Sequence, residues 1–394
     1  MNNKTITKNN LNLIYLSHFL IDAYASFLMP ILPLLTQKFE MSIFLMSIIM
    51  ATSYLGSSIL QPVFGNIADK AKGYYFITLG LICTCLTISF VGKISTIFLL
   101  ACFIIIMNLG EGLYHPQATT LISSLSEEKK LNKNLGIYLG LGVLGFGFGP
   151  IICGYIVNNY GLNYLAYTSI VAFFLITAIY FFLKNIPKSI DKEEEKINFF
   201  SALMQICANQ NLRRLIMLGF MRPLILITFC VYIPFLLKEH GYNTFLIGLF
   251  IGLFSLVGAL GSYIGGILTK IVDRIHIFLF SLLFATIFGI ISIFLLSSGN
   301  HAGAIFYLLT SFCINLHSSV NLSIAYEITY KNKSAIAGII NGFNWGIVGL
   351  SLSLIGYLID MFSVAKVLMI ISIIPSIFAL NLIGLKYSLK NNKI

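Results

Sequence analysis

Histidine and acidic residues recur at helical spacing within long apolar stretches of the chain. His18 and Asp22 are four residues apart, as are Glu111 and His115, so each pair lies on one face of a helix. Arg222 is a lone cation in a later apolar stretch. Burial favours the neutral form of a carboxylic acid, whereas a neighbouring cation favours the carboxylate. These residues therefore predict reversible proton binding in an apolar environment.

The composition explains why the surroundings of these groups are apolar. Of the 394 residues, 58% are apolar and only 10% are charged, whereas a soluble domain has about 25% charged residues. The mean hydropathy is +0.90. So few charges cannot cover a water-facing surface of this size, which excludes a soluble enzyme, a DNA-binding protein and a disordered scaffold. We expect an all-α integral membrane protein that contacts the lipid bilayer.

Apolar stretches of about 20 residues, the length that crosses a bilayer, predict twelve transmembrane helices. The predicted spans are 11–36, 42–67, 74–92, 95–122, 134–158, 162–184, 212–237, 244–269, 276–297, 301–328, 334–359 and 364–387. With the N-terminus in the cytoplasm, 20 Lys and Arg residues fall in inner segments and 4 in outer loops. This bias predicts a multi-pass protein of the cell inner (plasma) membrane with both termini in the cytoplasm. It also accounts for the net charge of +11 without a nucleic-acid partner.

The spans divide into two halves that repeat each other. A predicted cytoplasmic linker at 185–211 separates six spans in residues 1–184 from six in 212–394. A shift of 202 residues superposes His115 on His317, and several glycines coincide at the same shift. Two six-helix repeats resemble the plan of the major facilitator superfamily, whose halves rock around a midplane site.

Two local motifs are also similar to motifs of that superfamily. The stretch Gly65-x-x-x-Asp69-Lys70, after the second span, resembles its cytoplasmic loop motif. The fifth span resembles the glycine-proline motif of its antiporter branch, with Gly145, Gly149, Pro150 and Gly154. The resemblance implies that these residues serve the conformational change, through close helix contacts at the glycines and a bend at the proline.

Within that superfamily, the fosmidomycin-resistance exporters have similar stretches at 16–22, 60–65 and 110–116. Gln117 follows the third, at a position where that family usually has an acid. The resemblance implies a secondary active transporter that works by alternating access, namely a proton-coupled exporter (antiporter) of a small drug-like or anionic compound such as fosmidomycin. The alternative is an uptake symporter or facilitator for a small metabolite or organic anion.

The resemblance also implies that spans 1, 4, 7 and 10, which carry the polar residues, line a central cavity. At about 1.5 Å per residue, Asp22 and Glu111 both fall roughly 16 Å into their spans. We expect Glu111 or Asp22 to bind the proton with His115 as partner. Arg222 would serve as a counter-charge or hold an anionic group. The residues expected to bind substrate are Arg222, His317, His18, Tyr114 and Gln61.

Each of these residues also has a purely structural interpretation. Asp22 can hydrogen-bond the backbone of a neighbouring helix, and His18 can orient a helix contact. His115 can satisfy carbonyls freed by Pro116.

The sequence lacks the motifs that are typical of other classes of protein. It contains neither His-Glu-x-x-His nor Gly-x-x-x-x-Gly-Lys-Ser/Thr. Cys83-x-Cys85 is too short and too apolar to suggest a metal site. We therefore expect no enzyme, no cofactor and no metal, and a monomer that binds a small-molecule substrate and protons.

Overall fold

The computed structural model describes residues 3–70, 74–184, 186, 199–328 and 344–382, and every regular element in these ranges is a helix. The α-helices of this part are α1 Asn3–Ser26, α2 Leu28–Lys38, α3 Ile43–Ile59, α4 Gln61–Lys70, α5 Tyr75–Phe90, α6 Ile97–Leu125, α7 Leu131–Tyr160, α8 Thr168–Leu183, α9 Phe199–Ala208, α10 Gln210–Glu239, α11 Thr244–Leu268, α12 Arg274–Ser297, α13 Gly303–Leu316, α14 Ser318–Ile328, α15 Asn344–Met361 and α16 Val364–Phe378. Short 3-10 helices occur at Val91–Lys93, Glu128–Lys130 and Leu162–Tyr167.

The helices confirm a protein that crosses a membrane several times. Over the described residues, 10 helical segments are long and apolar enough to span a bilayer. The second and twelfth predicted spans contain the shorter apolar helices Ile43–Tyr54 and Val364–Phe378. The eleventh predicted span begins outside the described residues and continues as α15. The total of twelve spans therefore stays a prediction.

The first span consists of two helices because a proline interrupts its hydrogen bonding. α1 ends at Ser26, four residues before Pro30. Pro30 has no N–H to donate to the Ser26 carbonyl, and its ring crowds that carbonyl. The Phe27 amide donates instead to the Tyr24 carbonyl at 3.1 Å. This break lies one helical turn after Asp22.

Glycines allow α7 to pack directly on the backbone of α1. A Cβ added at Gly145 would collide with the Phe19 carbonyl, and one at Gly149 would collide with the Ala23 carbonyl. Only a residue without a side chain fits at either position. The contact fixes which faces of α1 and α7 meet, and these are the faces that position His18 and the residues around it.

α6 is held against α5 in the same way. A Cβ on Gly80 would lie 2.6 Å from the Gly110 carbonyl oxygen, and one on Gly110 would lie 2.7 Å from the Gly80 carbonyl oxygen. Nearby, the Thr84 hydroxyl donates to the Met107 carbonyl at 3.0 Å. These contacts set the rotation of α6 about its axis.

The chain forms two compact units. The first contains Met1–Lys192 and Tyr242–Gly252, and the second contains Glu193–Gly241 and Leu253–Ile394. The division after Lys192 falls inside the predicted linker 185–211. Most of that linker's first half lies outside the described residues, and part of its second half forms α9.

Candidate functional site

His18, Asp22 and His115 meet in the first unit, where α1 and α6 face each other. His18 Nε2 lies 3.3 Å from Asp22 Oδ2, and His115 Nε2 lies 3.8 Å from Asp22 Oδ1. The two imidazole rings are in edge contact, with their centroids 5.3 Å apart. His18 is buried, whereas 30% of the His115 side chain is exposed. We call these three residues the α1–α6 cluster.

The backbone of α7 fixes the tautomer of His18. The Nδ1 atom lies 2.7 Å from the Tyr138 carbonyl oxygen, which can only accept, so Nδ1 carries a proton. The Tyr138 ring stacks on the imidazole with the centroids 3.8 Å apart. The Nε2 of a neutral His18 therefore presents its lone pair to the Asp22 carboxylate at 3.3 Å. Because lone pairs at that distance repel, the pair requires a shared proton or another cation.

Gly142 on α7 leaves the space that the pair occupies. A Cβ added there would lie 2.6 Å from both Asp22 Oδ2 and His18 Nε2. His18 cannot move away freely, because its ring is hydrogen-bonded and stacked on Tyr138. A Cβ added at Gly140, on the same helix, would have nothing within 4 Å. The two glycines therefore provide a matched pair for testing the cluster.

We expect Gly142→Ala to destabilise the protein by about 1–3 kcal/mol, the usual cost of overpacking. Gly140→Ala should be neutral or stabilising by up to about 1 kcal/mol, because alanine is the better helix former. Thermal unfolding of both purified variants in detergent measures the difference. Equal midpoints for the two variants would contradict the packing around His18.

Glu111 lies close to this cluster but is not part of its contacts. It is the middle residue of α6 and lies one turn before His115 on the same face. Its side chain is partly exposed and has no hydrogen bond or ion pair with any residue that the structure describes. A carboxylic acid in the middle of an apolar helix, with no partner, is costly unless it binds a proton or another cation.

Tyr114 and Gln117 hold α6 against its neighbouring helices, and the Tyr114 ring also packs on the edge of His115, with the centroids 5.3 Å apart. The buried Tyr114 hydroxyl lies 2.7 Å from the Ser17 hydroxyl, which ties α6 to α1. The Gln117 Oε1 atom accepts hydrogen bonds from the Phe76 and Ile77 amides at 2.8 and 3.2 Å, so Gln117 caps the start of α5. The Gln117 amide oxygen accepts these two hydrogen bonds while the side chain stays neutral, whereas an acid at this position would add a negative charge.

Arg222 lies in a pocket of the second unit, at one side of α10. Its Nε donates to Asn315 Oδ1 at 2.7 Å, and its guanidinium carbon lies 6.0 Å from the centre of the Trp345 ring. Asn315 is oriented for this contact because its Nδ2 donates to the Ser311 carbonyl at 2.8 Å. The terminal nitrogens of Arg222 make no hydrogen bond or ion pair within the described part of the chain. His317, Asn321 and Asn344 line the same pocket, which we call the Arg222 pocket.

His317 has a tautomer that leaves one ring nitrogen available. The Ser281 hydroxyl donates to the Cys313 carbonyl at 2.6 Å, so it accepts from His317 Nδ1 at 2.8 Å. His317 Nε2 then carries a lone pair, is buried and has no partner among the described residues. Asn321 Oδ1 is also a buried acceptor with no partner among the described residues. The Arg222 pocket therefore combines unpaired donors on a cation with two unpaired acceptors.

The remaining predicted residues lie in several places. Gln61 begins α4, is partly exposed and makes no hydrogen bond with residues in the described ranges. A Cβ on Gly65 would contact Pro116 at 3.6 Å. The side chains of Asp69 and Lys70 lie outside the described part of the structure.

The glycine-proline motif continues past Gly145 and Gly149 to a contact with α11. A Cβ on Gly154 would lie 2.6 Å from the Thr244 carbonyl oxygen, and one on Gly248 would collide with the Pro150 carbonyl. These residues belong to the first unit. The motif therefore makes backbone contacts along much of α7, as its small residues predict.

Several residues of both sites were not predicted from the sequence. Asn315 and Ser281, which orient Arg222 and His317, were not predicted. A signal for Asn315 was available, because an amide two residues before His317 in an apolar stretch needs a partner. The Tyr138 carbonyl gave no signal, because a backbone acceptor is present at every position.

A family model described as Major Facilitator Superfamily matches residues 14–353. The chain belongs to the major facilitator superfamily. It is therefore a membrane transporter that moves a small molecule, and not an enzyme. The match includes the α1–α6 cluster and the Arg222 pocket.

Two curated relatives of the chain are drug-resistance proteins. The chain is 23% identical to the fosmidomycin resistance protein of Escherichia coli (strain K12), over 93% of this chain and 90% of that protein. It is 26% identical to the multidrug resistance protein MdtG of Proteus mirabilis, over 86% of this chain and 85% of that protein.

Solved structures of other transporters share the fold. A bacterial homologue of the human lysosomal transporter Spinster has a TM-score of 0.80 at 13% identity, covering 98% of both chains. The nucleoside transporter NupG has a TM-score of 0.77 at 10% identity, covering 95% of this chain and 99% of that one. At such identities the likeness concerns the fold alone.

Proposed function

We propose that this major facilitator is a proton-coupled exporter (antiporter) of a small anionic or drug-like compound such as fosmidomycin. The observation that carries the proposal is Glu111, a carboxyl group at the middle of α6 without a partner in the described residues. In an antiporter such a group binds a proton from one side of the membrane and releases it to the other. The likeness to a fosmidomycin resistance protein and to MdtG supports export.

Glu111 is the principal candidate for the proton carrier, and Asp22 is the alternative. His115 is placed to exchange a proton with either acid, because it lies on the same helical face as Glu111 and 3.8 Å from Asp22 across the α1–α6 cluster. The lone pair of His18 beside Asp22 also favours a bound proton in this region. Protonation would neutralise a carboxylate at membrane depth, where its charge is costly.

The Arg222 pocket supports an anionic substrate. A guanidinium with free terminal nitrogens binds carboxylate or phosphonate oxygens in a planar, two-point contact. The lone pairs of His317 Nε2 and Asn321 Oδ1 would accept from a hydroxyl or N–H group of the same ligand. Asn315 and Trp345 orient the guanidinium, so little conformational entropy is lost on binding.

The remaining parts of the proposal concern the cell. The distribution of Lys and Arg supports an inner-membrane location with both termini in the cytoplasm. The superfamily plan supports twelve spans in two halves that alternate access as a monomer, with a linker at 185–211.

Expression in a bacterium that lacks its own exporters tests the proposal. We expect the wild-type protein to reduce susceptibility to fosmidomycin and to lower the amount of drug retained by the cells. The control is the same vector with the Glu111→Gln variant at a matched level in the membrane. Wild-type protein that is present in the membrane but leaves susceptibility unchanged would contradict fosmidomycin as substrate.

Higher drug retention in cells with the wild-type protein would favour the alternative. In that case the protein is an uptake symporter or facilitator for an organic anion, for which the Arg222 pocket is equally suited.

A further inference from the structure

The α1–α6 cluster has the composition of a transition-metal site. His18, Asp22 and His115 each offer one ligand atom, and these atoms all lie within 4.8 Å of one another. We propose that these three side chains bind a divalent first-row transition-metal ion of the Zn²⁺ type. Only His18 and Asp22 share a helix, at a spacing of four residues, and His115 comes from a second helix, so the sequence shows no complete metal-ligand motif.

The distances are close to those that a bound ion requires. Zn²⁺ binds imidazole nitrogen at about 2.0–2.1 Å and carboxylate oxygen at about 2.0–2.2 Å, which places neighbouring ligands of a tetrahedron about 3.3 Å apart. His18 Nε2 and Asp22 Oδ2 are 3.3 Å apart. His115 Nε2 is 3.8 Å from Asp22 Oδ1, slightly farther than that spacing. Only a small side-chain movement is therefore needed.

His18 is already prepared as a ligand. Metal-binding histidines usually donate their other ring nitrogen to a carbonyl or carboxylate, which fixes the ring and its tautomer. The hydrogen bond from His18 Nδ1 to the Tyr138 carbonyl, at 2.7 Å, has this form. It directs the Nε2 lone pair at Asp22, and a cation between the two would remove their repulsion.

The ligand types select the class of ion. Two imidazoles and one carboxylate suit Zn²⁺, Co²⁺ or Fe²⁺, whereas Mg²⁺ and Ca²⁺ prefer ligands that are all oxygen. Three protein ligands leave a coordination position open for water or for a group of a transported ligand.

Cobalt(II) is a direct probe, because in a site of this kind it absorbs visible light. We would purify the full chain through a histidine-free tag, remove metal with a chelator, and titrate with Co²⁺ alone. The expected result is one Co²⁺ per chain with a visible absorption band. Asp22→Asn and His115→Ala should each weaken binding by about 100-fold or more, and Gly142→Ala by about 10–100-fold through displacement of His18.

The control for surface binding is His276→Asn. His276 Nδ1 lies 3.4 Å from Asp273 Oδ1 in an exposed pair, which supplies only two ligands. This variant should keep the cobalt band of the wild-type protein. Asp22→Asn preserves the shape of the side chain, so the affinity of this variant for Co²⁺ can be measured even if His115→Ala does not fold. The absence of Co²⁺ binding by folded wild-type protein, or equal binding by Asp22→Asn, would overturn the proposal.

A consequence for transport rests on the proposed function. If Asp22 and His115 take part in proton coupling, Zn²⁺ in the cluster should inhibit transport driven by a pH gradient in the wild-type protein. Cobalt binding in detergent needs no transport, so it tests the metal site even if the proposed function is wrong. Co²⁺ binding without inhibition by Zn²⁺ would uphold the metal site and contradict the coupling role of these two residues.

Discussion

Glu111→Gln is expected to abolish transport driven by a pH gradient while preserving exchange of substrate. Glutamine is nearly the same size as glutamate and uncharged, but it cannot bind or release a proton. In proteoliposomes with an imposed pH gradient, accumulation of labelled substrate should fall to the level of protein-free vesicles. At equal pH on both sides, exchange of labelled for unlabelled substrate should continue, because it needs no net proton movement.

Glu128→Gln is the matched control for this experiment, since Glu128 is an exposed acid that precedes α7. It should leave both activities unchanged. Full pH-driven accumulation by Glu111→Gln would exclude Glu111 as the proton carrier and direct attention to Asp22. Equal loss of both activities in a folded variant would indicate that Glu111 acts in substrate movement rather than in coupling.

Arg222→Gln is expected to weaken binding of an anionic substrate by about 10–100-fold, because hydrogen bonds to charged groups contribute about 1.5–3 kcal/mol. Arg222→Lys should fall between this variant and the wild-type protein, since lysine keeps the charge but loses the planar guanidinium. The chain has one tryptophan, Trp345, and its ring lies 6.0 Å from the Arg222 guanidinium carbon. Intrinsic fluorescence therefore reports binding in the pocket directly.

The control for Arg222 is Arg214→Gln, eight residues earlier on α10. It removes the same charge outside the Arg222 pocket and should leave the dissociation constant unchanged. An unchanged affinity in Arg222→Gln, measured by the same fluorescence titration, would contradict an anion site in this pocket. A quaternary ammonium compound, used as a control ligand, should bind wild-type protein no more tightly than it binds Arg222→Gln.

Helical periodicity was sufficient to predict the faces on which the polar residues lie. The spacing of His18 with Asp22 placed both on one side of α1, and the structure has them 3.3 Å apart. Sequence left open which of the two acids His115 meets, and in the structure His115 lies 3.8 Å from Asp22, whereas Glu111 makes no contact of this kind with a described residue. That difference depends on the rotation of α6, which is set by backbone contacts such as that between Gly80 and Gly110.

The internal repeat was a poor guide to the two sites. His115 and His317 correspond at a shift of 202 residues. In the first span, where Pro33 corresponds to Pro234 at a shift of 201 residues, Gly219 and Pro223 stand at the positions that correspond to His18 and Asp22. With no acid to meet, His317 instead pairs with Ser281 and stacks on a phenylalanine. The two corresponding histidines therefore have different partners, and these partners are visible only in the structure.

The sign of the proton movement that accompanies the substrate tests the central claim most directly. Wild-type protein would be reconstituted in vesicles that contain a pH-sensitive dye, with equal pH on both sides and the membrane potential clamped. An inward gradient of fosmidomycin should then drive protons out of the vesicles, so that the interior becomes more alkaline. Acidification of the interior would indicate symport, and substrate entry without any pH change would contradict proton coupling.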